Sequence, residues 1–106
     1  MGINQLGEQY ASTASRIAIS TATTTVVSAT GTRGLATVRI AGGTLGNITV
    51  YNNGEASGEV ILPTCTPLSG AVLLENVPFN NGLTIVTASA MVVVGTYSVV
   101  SDKSTA

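Results

Sequence analysis

The strongest constraint on the fold is a series of short segments in which apolar and polar residues alternate. In residues 35–41, the apolar Val38 and Ile40 share one face. Residues 46–51 repeat the pattern, with Ile48 and Val50 on one face. A period of two residues is that of a β-strand with one buried face. The sequence therefore predicts strands rather than helices.

Eight segments have this strand character, and Gly, Asn or Pro separates most of them. They are residues 16–20, 23–29, 35–41, 46–51, 57–62, 71–77, 83–88 and 91–100. No segment of helix length lies between them, so βαβ units are not expected. We predict an all-β fold, an antiparallel β-sandwich or small barrel of about seven to eight strands with an extended N-terminal arm.

The chain divides by composition into an arm, one domain and a tail. Residues 1–22 are small, hydroxyl-rich and weakly periodic, which predicts the arm; residues 23–100 form the β-sandwich domain and 101–106 a flexible tail. An ordered arm is commonly tied down against a neighbouring subunit. The residues predicted to anchor it at such an interface are Tyr10, Arg16, Ile17 and Ile19.

The tripeptide Asn-Asn-Gly occurs twice, ending at Gly54 and at Gly82. Asn and Gly tolerate the positive φ of tight hairpin turns, so both glycines are predicted to be turn residues with positive φ. Pro63 and Pro78 are predicted to end the strands before them, because proline cannot donate a ladder hydrogen bond.

Charge is scarce: 8% of the residues are charged, against about a quarter in typical soluble domains. The surface of a domain with so few charges must be covered by the hydroxyl and amide groups of Thr, Ser and Asn, or by other protein. We therefore predict a component of an assembly, and a homo-oligomer with a trimer favoured. The apolar run at 91–94 suits a central strand covered on both faces, or one face hidden in an oligomer. A net charge of −1 without a Lys/Arg cluster argues against a nucleic-acid partner.

Neither a membrane partner nor secretion is expected. The longest apolar stretches have four or five residues, far below the roughly 20 that cross a bilayer. The first ten residues lack the basic start and apolar core of a signal peptide. Cys65 is the single cysteine, which excludes an intrachain disulfide and suits synthesis in a reducing cytoplasm.

Few residues of this chain are suited to catalysis. The chain has no His to activate a serine or Cys65. Glu55, Glu59 and Glu75 are the conceivable carboxylates for glycoside hydrolysis, but the first two flank a turn and are most simply solvated charges. No spacing of acidic residues suits a metal. We predict no enzymatic activity, no metal and no cofactor.

Three segments carry a resemblance to a known class of protein. They are residues 46–61 with the turn after Ile-Thr-Val-Tyr51, residues 77–88 with Pro-Phe-Asn-Asn-Gly82, and residues 92–97 with a final Val-rich strand. Across residues 35–98, this pattern resembles small β-sandwich virion proteins of tailed bacteriophages, of the head-decoration, head-fibre and tail-associated types. Position 53 is Asn where such turns often carry Asp.

The resemblance implies a non-enzymatic virion structural protein, made in the host cytoplasm. It would decorate or stabilise the capsid or form part of a head or tail fibre, attached through its N-terminal arm. Its partners would be the major capsid protein or other virion proteins. The alternative is a fibre-tip module that binds a host-surface glycan. Such sites draw on exposed aromatics and carboxylates, and this chain has few of either; Phe79, beside a turn, is predicted to plug the core.

Overall fold

The computed structural model describes residues 10–102, and their side chains from residue 14 to residue 100. This part of the chain contains eight β-strands and no helix. The strands are β1 (Tyr10–Ile19), β2 (Thr24–Ser28), β3 (Gly34–Gly43), β4 (Ile48–Tyr51), β5 (Val60–Cys65), β6 (Val72–Phe79), β7 (Leu83–Thr87) and β8 (Met91–Asp102).

The strands form two four-stranded antiparallel sheets. Sheet A has the order β1-β8-β3-β6, and sheet B has the order β2-β7-β4-β5. The first strand therefore pairs with the last, the second with the seventh, the third with the sixth and the fourth with the fifth. This is the strand order of a jelly roll, a double-sheet sandwich built from two Greek keys. The predicted all-β antiparallel sandwich is confirmed.

The core lies between the sheets and follows the alternation visible in the sequence. Val38 and Ile40 of β3 and Val50 of β4 belong to this core, and all three are fully buried. In the central strand β8, Met91 and Val93 are fully buried while Val92 and Val94 are half-buried. Phe79 is 2% exposed and closes the core at the end of β6.

Both prolines predicted to end strands lie inside strands instead. Pro63 is in β5 and Pro78 is in β6. These are edge strands of sheets B and A. A proline in an edge strand can turn the side that lacks an N–H away from the ladder, so pairing continues past it. The strands consequently extend beyond their predicted ends, to Cys65 and Phe79.

The second half of the predicted N-terminal arm is part of the sandwich. Residues 10–19 form β1, which pairs with β8 in one continuous register from Tyr10↔Asp102 to Ile19↔Val93. Ile17 and Ile19 are 3% and 6% exposed and belong to the chain's own core, which corrects their assignment as anchors for a neighbour. Arg16 is exposed. The predicted arm residues 1–9, the side chain of Tyr10 and tail residues 103–106 lie outside the described part.

Candidate interaction surfaces

The three glutamates considered for catalysis are not brought together as a set. Glu55 and Glu59 lie in the β4–β5 loop of sheet B, whereas Glu75 lies on β6 of sheet A. One carboxylate oxygen of Glu59 accepts a hydrogen bond of 2.6 Å from Asn52 Nδ2, so this group has a structural partner. Cys65 is half-buried and packs against the core. This arrangement offers no paired acid and base.

The described residues contain neither a metal-binding cluster nor a membrane-spanning helix. Within residues 10–102, no three His, Cys, Asp or Glu side chains are grouped so that they could hold a metal ion. The same residues form no helix long and apolar enough to span a membrane.

A dense polar cluster lies at the end of the sandwich where the β2–β3, β4–β5 and β6–β7 loops meet. The side chain of Asn52, 8% exposed, is at its centre. Its Oδ1 accepts hydrogen bonds from the backbone N–H groups of Asn80 and Asn81 at 2.9 and 3.1 Å. Its Nδ2 donates to Asn80 Oδ1 at 2.8 Å as well as to Glu59. The two Asn-Asn-Gly tripeptides therefore contact each other.

Gly54 and Gly82 serve this contact in different ways. Gly82 has a φ of +95°, as predicted for a turn glycine, and a Cβ there would lie 2.7 Å from Ala29 O and from Gly54 N. Gly54 does not have a positive φ; in its loop that conformation belongs to Gly58, at +85°. Position 54 needs glycine for a steric reason instead, since a Cβ there would collide with the backbone N of Thr30. This corrects the predicted conformation of Gly54.

The loop cluster is saturated with internal hydrogen bonds. Asn81 Oδ1 accepts from Gly31 N at 3.1 Å, and Thr84 Oγ1 donates to Asn53 O at 2.9 Å. Among the described residues, no buried side-chain nitrogen or oxygen lacks a partner. A ligand would find no free buried donor or acceptor here. The cluster therefore joins three loops and is a poor binding site.

The outer face of sheet B differs from an ordinary protein surface in having no charge. None of the residues in β2, β4, β5 and β7 is charged. Because side chains alternate along a strand, residues between the buried Ile48, Val50, Leu83 and Ile85 point outward. We call the outward-pointing residues of these strands the sheet B outer face: Thr24, Val26, Thr49, Tyr51, Val60, Thr64, Thr84 and Val86. Within it, Thr49 and Thr84 are already buried by the chain itself.

The sheet B outer face is tied across its strands and exposes valines at both rims. The hydroxyls of Thr49 and Thr64 are 2.6 Å apart and link β4 to β5. Val26 on β2 is 53% exposed and Val60 on β5 is 42% exposed. Threonine and valine have short side chains, so little side-chain entropy is lost when such a surface contacts other protein.

Sheet A has a different outer face, with charge. Arg16 of β1 and Arg39 of β3, both exposed, line a depression of about 360 Å³ above Val94 and Thr96 of β8. The hydroxyl of Thr37 in its wall accepts a hydrogen bond of 3.1 Å from the backbone of the neighbouring strand β6. Sequence reasoning placed Arg16 at an interface but did not bring Arg39 beside it, because that juxtaposition requires the order β1-β8-β3.

No protein-family model matches the chain, and no curated protein or solved structure is significantly similar to it.

Proposed function

We propose that this chain is a non-enzymatic structural subunit of a bacteriophage virion, which decorates or stabilises the capsid or forms part of a head or tail fibre. The observation that carries the proposal is the sheet B outer face. This four-stranded face has no charged residue and exposes Val26 and Val60 at its rims, so another protein can bury it without desolvating an ion.

The topology adds support by analogy. Jelly rolls recur in viral capsid proteins, in lectins and in cupins. Fold alone does not decide among these uses, which differ in their sites. A cupin-like metal centre needs histidine ligands, and this sequence has none. The described residues also bring no acid–base pair together, which leaves the assembly use and the lectin-like use.

Between these two uses, the surface favours assembly. Glycan sites commonly combine exposed aromatic rings with carboxylates. Among the aromatic side chains that the structure describes, Phe79 is buried and Tyr51 and Tyr97 are half-buried. A depression of about 460 Å³ lies over Leu35 and Pro78 and has no carboxylate in its lining. A glycan-binding fibre tip is therefore the second candidate.

Attachment through the sheet B outer face can be tested with a matched pair of variants. Val60→Lys places a charge on this face, at a rim residue that is 42% exposed. Val72→Lys places the same charge on sheet A, at a residue that is 59% exposed on edge strand β6. Both sites are exposed edge-strand valines, so both variants should fold.

Particles assembled in the presence of each variant are purified, and the bound chain is quantified by mass spectrometry. We expect Val72→Lys to be incorporated as the parent is, and Val60→Lys to fall at least about tenfold, because an unpaired ammonium must be desolvated at the contact. Equal incorporation of both variants would contradict attachment through sheet B. Specific binding of the free parent chain to host-envelope glycans, without incorporation into particles, would favour the fibre-tip alternative.

A further inference from the structure

The four edges of the two sheets differ in their protection against pairing with another strand. Natural edge strands are commonly blocked by proline, bulges, charge or short length. The β5 edge has Pro63 and register shifts, and the β6 edge has Pro78 and register shifts. The β2 edge has five residues and a register shift near Ser28.

Of these protective features, strand β1 has only a single charge. It has ten residues, no proline and an unbroken register with β8, and Arg16 is its one charged residue. Within the described residues it pairs only with β8, so its other side is an edge of sheet A. A long, regular edge of this kind is a template for another strand.

The hydrogen bonds identify which residues of β1 point to that edge. Val100 N–H donates to Arg33 O at 3.0 Å, so even-numbered residues of β8 point their backbone groups toward β3. Backbone groups alternate in direction along a strand, so odd-numbered residues of β8 point toward β1. Their partners in the register, such as Ser15 and Ile17, are odd-numbered too. The backbone groups of Ala14, Arg16 and Ala18 therefore point to the edge.

We propose that β1 pairs with β1 of a second copy of this chain, antiparallel and about a two-fold axis at Ala14. An antiparallel pair of identical strands is self-complementary, so each N–H on the edge meets a carbonyl of the partner. With the axis at Ala14, residue 16 is opposite residue 12 of the partner and residue 18 is opposite residue 10. This register overlaps nearly the whole strand and keeps the two Arg16 residues apart.

The surface beside the β1 edge also favours a second copy. A depression of about 210 Å³ lies between the edges of β1 and β2, and its lining is mixed, with Val27 and Tyr97 beside the polar groups of Arg16 and Thr25. Val26, 53% exposed, lies at its rim, and Arg16 is the one charged residue in the lining. A symmetric partner would cover the exposed Val26 at the rim of this depression on both copies while its strand extends sheet A. The symmetry is two-fold, in contrast to the trimer favoured from composition.

A pair of proline variants tests the pairing with the purified chain. Ala14→Pro removes an N–H that points to the edge, whereas Ser15→Pro removes one that bonds to β8. We expect the parent to be a dimer by light scattering. In Ala14→Pro the dimer dissociation constant should rise at least about tenfold with the β-sheet circular dichroism retained. Ser15→Pro should lower the melting temperature more than Ala14→Pro does.

Disulfide trapping tests the register without a proline. In a Cys65→Ser background, Ala14→Cys places two cysteines at the axis with Cα atoms about 5.5 Å apart, within disulfide range. Arg16→Cys is the control, because its two copies lie about 14 Å apart along the strands. We expect oxidation to cross-link the first variant and not the second.

A parent chain that stays monomeric at the highest soluble concentration would overturn the proposal. A dimer unaffected by Ala14→Pro would do so too, as would cross-linking at residue 16 and not at residue 14. Because these measurements use the purified chain, their outcome does not depend on incorporation into a particle.

Discussion

The side chain of Asn52 is predicted to hold the loop end of the sandwich together. Its amide makes four hydrogen bonds, to two backbone N–H groups, a carboxylate and a second amide. In Asn52→Ala the N–H groups of Asn80 and Asn81 lose their acceptor. A buried group without a partner costs about 1–3 kcal/mol, and the exposure of both turn residues lets water recover part of it. We expect a net loss of about 2 kcal/mol.

The loss is measured by thermal unfolding. For a domain of this size, 2 kcal/mol corresponds to a fall in Tm of roughly 8–16 °C. Asn47→Ala is the matched control, since this exposed Asn accepts one hydrogen bond, from Thr66 Oγ1 at 2.6 Å. It should cost about 1 kcal/mol or less. Equal melting temperatures for the parent and Asn52→Ala would refute the role given to this amide.

Three further outcomes are expected. Deleting residues 2–9 should leave a cooperative fold, whereas deleting residues 2–20 should abolish folding. Burial of Ile17 and Ile19 alone contributes about 3–6 kcal/mol to stability. If circular dichroism showed that the 2–20 deletion variant still folds, β1 would be dispensable. Gly82→Val should lower the free energy of unfolding, measured by denaturant titration, by about 2 kcal/mol or more. Gly31→Val is the control and should cost less, because Gly31 has a similar positive φ but open space around it. Equal losses would mean that the packing around Gly82 does not matter. The parent should not degrade host-envelope glycans. If it did, and if this activity disappeared in the Glu55→Gln, Glu59→Gln, Glu75→Gln triple variant, the protein would be a glycoside hydrolase.

The strands could be predicted from the sequence because alternation is local. The β7 segment was expected at residues 83–88 and is Leu83–Thr87, and the predicted segment at 35–41 lies within β3. The order in which strands pair depends on residues far apart in the chain, and two predictions were wrong for that reason. The prolines at 63 and 78 look like strand ends until their strands are known to be edges. Ile17 and Ile19 alternate like a strand, but their burial depends on β8, which lies far along the chain.

The surfaces were less predictable than the strands. Each Asn-Asn-Gly tripeptide indicates a turn by itself, but their contact through Asn52 requires β4 and β7 to be neighbours. The low charge of the chain pointed to an assembly component, yet composition could not tell which face lacks charge. That all four strands of sheet B are uncharged becomes visible only when the strands are sorted into sheets.

The proposed function is tested most directly by the protein content of purified particles. If the proposal holds, a phage encodes this chain, and its particles would be purified through a density gradient and analysed by quantitative mass spectrometry against the major capsid protein. We expect the chain to be present in a fixed, reproducible ratio to the capsid protein and to remain through repeated purification. Its absence from the particles, with the chain recovered only as free protein, would rule out a virion subunit.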